Sequence, residues 1–349
     1  MPDRSLGEPT DRRQNGARGW ASRKVSAMDP FHMEQSLATE PGSCALCGSG
    51  TGALLAAGYD FEYLTTRDEF SFWRCSCGGT FLNPRPAPSE LPAIYPENYY
   101  SYNFEDKLGP LVMRFKALTE KAKVAAYMPY LRPDARVLDI GCGDGHVLRQ
   151  LADGYPDPLQ LEGVEFSEHG VAATRQAGYT VHVGAIEEVV LPQRSFDLII
   201  MNQLIEHVRE PKAVLRKIAS ALAPGGHLFI ETPNIDSWDA RLFRKRYWGG
   251  YHLPRHFHLF DTHSLRRVVE DAGLRTISQK PLVCPQFWII SVQNWLKERG
   301  SRKLSEWINP FNPLLLAPAT VIELIHQRTG WTSNQQVVAQ ARNTEGNAT

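Results

Sequence analysis

Between residues 135 and 282 the chain alternates short continuous aliphatic runs with stretches in which apolar residues return at helical spacing. The runs are Arg136–Ile140, Gln160–Phe166, Thr180–Val183, Phe196–Met201 and His227–Thr232. Continuous rather than alternating apolar runs predict strands buried on both faces, and the intervening helical periods predict a mostly parallel sheet. Two further strands, near Arg275–Gln279 and Gln336–Ala341, bring the expected sheet to seven. A helix is expected across Leu108–Leu131, another ends near Ala223-Pro-Gly-Gly226, and Asp261-Thr-His-Ser reads as the cap of a third.

The remainder divides by composition. Residues 1–40 are charged and turn-rich, too poor in aliphatics to offset ordering entropy, and are expected to be a disordered tail. A small β unit is expected over 41–90, the main domain over 91–280, and a last strand and tail over 335–349. Between them, 281–334 carries the apolar stretches 287–296 and 311–325, each too short and interrupted to span a bilayer. They read as a helical lid over an acceptor cleft, or as a docking surface for a membrane or a lipid-linked acceptor.

The first strand runs into Asp139-Ile-Gly141-Cys-Gly143-Asp-Gly145. Glycines at alternate positions allow a sharp turn and a close approach to a ligand, while the acid at the strand end suits an ammonium group rather than a phosphate. Glu165 closes the second strand, about twenty residues beyond the turn, where an acid can accept from ribose hydroxyls, and Phe166 can stack on a base. With Phe196-Asp-Leu-Ile-Ile, Glu206-His-Val, Pro224-Gly-Gly and Thr232-Pro-Asn following in order, the chain resembles the class I S-adenosylmethionine (SAM) dependent methyltransferases. That resemblance implies a Rossmann-like α/β sheet and SAM as cofactor. It assigns the cofactor to Asp139, Gly141, Gly143, Gly145, Glu165 and Phe166, to Ala185 and Ile186 around the adenine, and to Asn202 and Gln203 after strand four.

Of the six cysteines, Cys44, Cys47, Cys75 and Cys77 fall in two tight pairs, the spacing of a structural Zn²⁺ ribbon rather than a disulfide framework. Cys75-x-Cys77 is one residue tighter than the usual knuckle, so one ligand could be misplaced. The lead-in Phe81–Pro86 and Tyr95–Tyr102 also resembles a methyltransferase subgroup with an N-terminal zinc ribbon, related to sugar and quinone enzymes. Transfer to a hydroxyl needs a base, and His207, His256 and His258 lie where the resemblance expects the acceptor. In the quinone enzymes the fourth-strand segment reads Glu-x-x-Glu-His and supports a divalent ion, and here Gln203 replaces the first acid, which disfavours a catalytic cation.

Thirty-eight basic residues balance 38 acidic ones, so net charge gives no reason to expect a nucleic acid partner. The first thirty residues lack the apolar core of a signal peptide, so the expected location is cytoplasmic. The function expected is SAM-dependent methyl transfer to a small-molecule or sugar-type acceptor, most readily at oxygen. A non-catalytic SAM-binding scaffold with a zinc ribbon is the alternative, and an NAD-linked oxidoreductase is disfavoured by the glycine spacing and Asp139.

Overall fold

The computed structural model describes residues 36–96, 121–310 and 312–342. Most of the expected tail, the Tyr99–Tyr102 cluster, the first part of the Leu108–Leu131 helix and residues 343–349 lie outside them. At the start, Ser36–Glu40 is not tail: β1 (Thr39–Glu40) pairs antiparallel with β5 (Arg85–Pro86), and Ser36 and Leu37 hydrogen-bond Asp68.

The small β unit is built from β2 (Ala53–Gly58), β3 (Phe70–Arg74) and β4 (Thr80–Leu82). It is not self-contained. A fourth strand, β11 (His258–Leu259), comes from the far side of the chain and pairs with β4, so that all three β4 residues are buried. Alternation on β3 places Phe70 and Phe72 in one core with Trp248, Tyr251, Leu253 and Phe257. Cys44, Leu46, Cys75 and Phe81 share the other core with the main sheet.

After α1 (Leu91–Ile94) and helix α2 (121–127), the expected seven-stranded sheet follows. Its strands are β6 (Arg136–Ile140), β7 (Gln160–Glu165), β8 (Thr180–Val183), β9 (Phe196–Asn202), β10 (Leu222–Pro233), β12 (Leu274–Leu282) and β13 (Asn334–Ala341). The order is β12-β13-β10-β9-β6-β7-β8, with β13 antiparallel to both neighbours. Leu198, Ile199, Ile200 and Met201 of β9 are fully covered, as a central parallel strand requires. The Ala223-Pro-Gly-Gly226 segment, expected to end a helix, already belongs to β10, which carries a register shift there.

Helices α3 (His146–Gly154), α4 (Glu168–Gln176), α5 (Pro211–Ala221), α6 (Trp238–Leu242) and α7 (Thr262–Asp271) connect the strands. The cap expected at Asp261 is formed: its Oδ1 accepts from Ser264 N–H at 2.7 Å, and Arg74 of β3 reaches its Oδ2 at 2.6 Å. The stretch 281–334 forms α8 (Gln286–Glu298), α9 (Arg302–Trp307) and α10 (Pro313–Gln327).

One buried ion pair ties the β unit to the main domain. Arg255 forks onto Asp60, Nη1 to Oδ1 at 3.1 Å and Nη2 to Oδ2 at 2.9 Å, with both side chains fully buried. Asp60 also accepts from Thr65 and from Tyr63 N–H, and Arg255 Nε donates to Ile94 O at 2.6 Å. Removing one partner strands a buried charge, so Arg255→Ala should lose about 3–5 kcal/mol in urea unfolding, while Arg255→Met with Asp60→Leu should lose less.

Candidate active site

Strand order reverses between β6 and β9, and the carboxyl ends of these two strands border the crevice in which doubly wound folds bind ligands. Asp139 stands at the end of β6. The turn after it places Gly141, Gly143 and Gly145 at φ of +77°, +54° and +78°, a region other residues resist. Glu165 at the end of β7 is aimed into this turn: one carboxylate oxygen accepts from Gly143 N–H at 3.0 Å, the other from Phe166 and Ser167 N–H at 2.9 and 2.8 Å. Phe166 itself is half exposed, its ring edge-on to Tyr95.

Burial, together with the Glu165 charge, pushes the Asp139 carboxyl up to about 7, with Lys123 opposing. Ile186 buries its side chain in the core, so its main chain and that of Ala185 are what this turn can offer a ligand. Asn202 hydrogen-bonds the hydroxyl of buried Tyr127, and Gln203, at φ +49°, sends its amide to Asn334. The cofactor residues named from sequence thus gather along one edge of the sheet.

Next to this edge, beyond β9, lies a histidine cluster. His207 and His256 rings sit 4.5 Å apart, with His252 5.0 Å from His256. His207 Nδ1 lies 3.1 Å from Arg255 O and 2.9 Å from the Tyr95 hydroxyl, and His256 Nδ1 lies 2.9 Å from Gly250 O. Since a carbonyl only accepts, both Nδ1 atoms carry the proton and both Nε2 atoms are bases. Burial and neighbouring positive groups drive His207 down to about 3 and His256 well below the ordinary histidine range.

His258 does not join them. It is buried on β11 with Nε2 3.2 Å from Arg209 O, on the ribbon side, because Phe257 and His258 N–H both donate to Glu206 O, at 2.7 and 3.1 Å, which interrupts the alternation from His256. Burial holds it near 4.

Sequence reasoning missed Glu206. It is fully buried, its Oε2 accepts from Thr232 Oγ1 at 2.8 Å, and its Oε1 has no protein partner and lies 4.0 Å from His256 Nε2. One donor atom each of Glu206, His207 and His256 lies within 4.8 Å of the others, a set able to hold a divalent cation. The signal was the Glu-His pair itself, but its partner is 49 residues later in the chain and only the folded loop brings it near. The four ribbon cysteines also converge within 4.8 Å, with Cys44 and Cys77 sulfurs 3.4 Å apart and Cys47 and Cys75 3.5 Å, so the tight knuckle strands no ligand.

Burial raises the Glu206 carboxyl to about 8 from an ordinary 4.5. The folded protein therefore holds a proton that the unfolded chain has released, and this contribution to stability is lost as pH rises toward 8. Histidine titration has ended by then, since the unfolded value is about 6.5. Between pH 6.5 and 8, Glu206→Gln should gain on the wild type by up to about 1.4 kcal/mol per pH unit in urea melts. A constant difference would show that Glu206 is ionised when folded.

Residues 114–279 match the methyltransferase domain family model. The ubiquinone biosynthesis O-methyltransferase of Idiomarina loihiensis is 30% identical over 162 residues, covering 42% of this chain and 65% of that protein. The enzyme of the same name from Xanthomonas axonopodis is 36% identical over 110 residues, 29% of this chain and 44% of its own. The chain thus spans less than two thirds of the length of these relatives. Among solved structures, a SAM-dependent methyltransferase of Thermotoga maritima, described as a possible histamine N-methyltransferase, aligns with 66% of this chain and 92% of its own at 20% identity and a TM-score of 0.44. Over residues 114–279 the chain is thus similar to the methyltransferase domain family, and the curated relatives it matches there are O-methyltransferases.

Proposed function

We propose that this protein transfers a methyl group from SAM to a hydroxyl of a small-molecule acceptor. The observation that carries the reading is the placement of two histidines with free Nε2 atoms, half-buried His207 and buried His256, beside the crevice that Asp139 and Glu165 line. SAM, when bound, supplies an electrophilic methyl on a sulfonium and departs as a neutral thioether. Asp139 would meet its ammonium group and Glu165 its ribose hydroxyls, with Phe166 and the Ala185–Ile186 main chain at the adenine. The proton leaving the acceptor goes to Nε2 of His207 or His256. A buried imidazolium is costly, but it forms as the sulfonium charge disappears, and on His256 it would face the Glu206 carboxyl, whose Oε1 lies 4.0 Å from Nε2.

That the relatives are O-methyltransferases supports oxygen as the atom attacked. A phenolic or a sugar hydroxyl fits the aromatic and histidine groups beside the crevice.

In calorimetric titration SAM should bind at micromolar concentration, and affinity should fall up to tenfold per pH unit below the Asp139 value of about 7, with proton release. Asp139→Asn should bind weakly at every pH. Folded protein that binds SAM only at millimolar levels would favour the scaffold reading. His207→Ala and His256→Ala should each keep SAM binding, and at least one should lower turnover by about two to four powers of ten; full turnover in both removes the general-base role.

We further propose that Cys44, Cys47, Cys75 and Cys77 hold a structural Zn²⁺. Zinc–thiolate bonds near 2.3 Å set tetrahedral sulfur separations of roughly 3.8 Å, close to those seen. A second reading gives Glu206, His207 and His256 a divalent ion as well. Metal analysis of the purified protein separates the two: one equivalent of zinc is expected for the ribbon alone, two for both, and Cys77→Ser should remove only the ribbon metal.

A further inference from the structure

Helix α10 turns its one acid inward and its aliphatic side chains outward. Glu323 is 0% exposed, and its carboxylate accepts from Cys284 and Ser333 N–H at 3.1 Å each, from the Ser333 hydroxyl at 2.9 Å and from the Trp288 indole at 2.9 Å. Four donors fix how the helix is rotated about its axis. The side left outward shows Leu314 at 74%, Val321 at 56% and Ile325 at 61% exposure, with Ile322 and Leu324 beside them. A helix facing water shows the reverse polarity.

Around this face the surface is aromatic and basic. Trp238 stacks on His326 at 5.7 Å and meets Trp331 edge-on at 5.4 Å, and the Arg241 guanidinium lies 4.4 Å over the Trp331 ring. In the same insertion Trp295 and Trp307 are exposed, with Arg299 4.0 Å over Trp295. Lys303 on α9 and Arg328 just past the end of α10 are exposed, Glu298 and Glu306 are the exposed acids among the described residues 286–331, and exposed Asp236 pairs with Arg241 at 2.9 Å. Glu298 is already paired with Arg246.

We propose that this face docks on an anionic phospholipid bilayer, with α10 lying in the plane of the interface. At 1.5 Å per residue its fifteen residues reach about 22 Å, short of the roughly 30 Å of a hydrocarbon core, so it rests in the surface instead of crossing. Tryptophan and arginine at the margin suit the headgroup layer, where the ring is half apolar and the cation meets lipid phosphate. Charge favours the bilayer over a second copy of the chain, because the exposed cations Arg299, Lys303 and Arg328 outnumber the exposed acid Glu306, an excess that an anionic surface meets and an identical copy carries itself.

The test is sedimentation of the full chain with vesicles of phosphatidylcholine alone and of phosphatidylcholine mixed with phosphatidylglycerol. Pelleting with the mixed vesicles only, weakened by salt, is expected. Ile325→Glu should cut binding roughly tenfold or more, and Lys303→Glu with Arg328→Glu about fivefold per cation, with unchanged thermal melting since all three side chains face outward. No pelleting with the mixed vesicles, or equal pelleting of Ile325→Glu, overturns the proposal. So does a dimer seen by light scattering that Ile325→Glu takes apart, which would give the face to a second copy.

Discussion

The Arg255–Asp60 pair holds together what the chain separates by nearly two hundred residues. Its two hydrogen bonds join the small β unit to the loop between α6 and α7, and its carbonyl is the atom that fixes His207 Nδ1. One residue thus clamps a domain contact with its side chain and sets a histidine tautomer with its main chain. Fully buried charges are tolerated only when every donor and acceptor is matched, and here Thr65, Tyr63 N–H and Ile94 O complete the set. Burial alone would push Asp60 upward, but the guanidinium beside it holds the carboxyl below its ordinary range.

The site inherits its charge state from the same packing. Asp139 and Glu206 are both held up by burial, and His207 and His256 are held down by it. Around neutral pH Asp139, held at about 7, is near its midpoint, and beside it three backbone N–H groups bind the Glu165 carboxyl. A cationic ligand entering such a place draws Asp139 toward its ionised form. Its charge, rather than any preset field, would decide the final protonation pattern.

Much of this was legible in the sequence because strand runs and glycine turns are local signals. Arg136–Ile140, Asp139, the three glycines and Glu165 lie where the pattern placed them, and the capping box at Asp261 is formed. What escaped depends on contacts distant along the chain. No periodicity announces that β11 completes the ribbon sheet, or that Glu206 faces His256 across a loop. His258 parts from His256 for a related reason: alternation holds for an evenly extended segment, and Phe257 and His258 N–H both donate to the one carbonyl of Glu206. Ser36–Glu40 looked like tail since two residues carry too little pattern to reveal a strand.

The ribbon is best understood through the strand it borrows. Three strands of this size cannot bury a core of their own, and the convergence of four thiols supplies one means of holding them together. The other means is β11, which enters the ribbon sheet directly after the loop that carries His252, Arg255 and His256. Leu82 N–H donates to Phe257 O at 2.8 Å, and Phe257 and His258 N–H both donate to Glu206 O. Ribbon, histidine loop and the turn after β9 are therefore one hydrogen-bonded continuum, whereas Asp139 and the glycine turn are anchored within the main sheet, by β7 and β9 beside Asp139 and by Thr174 Oγ1 of α4 on Gly143 O at 2.8 Å. Disturbance of the ribbon should reach the histidines before it reaches the cofactor edge, which gives the small unit a physical role in shaping the acceptor side.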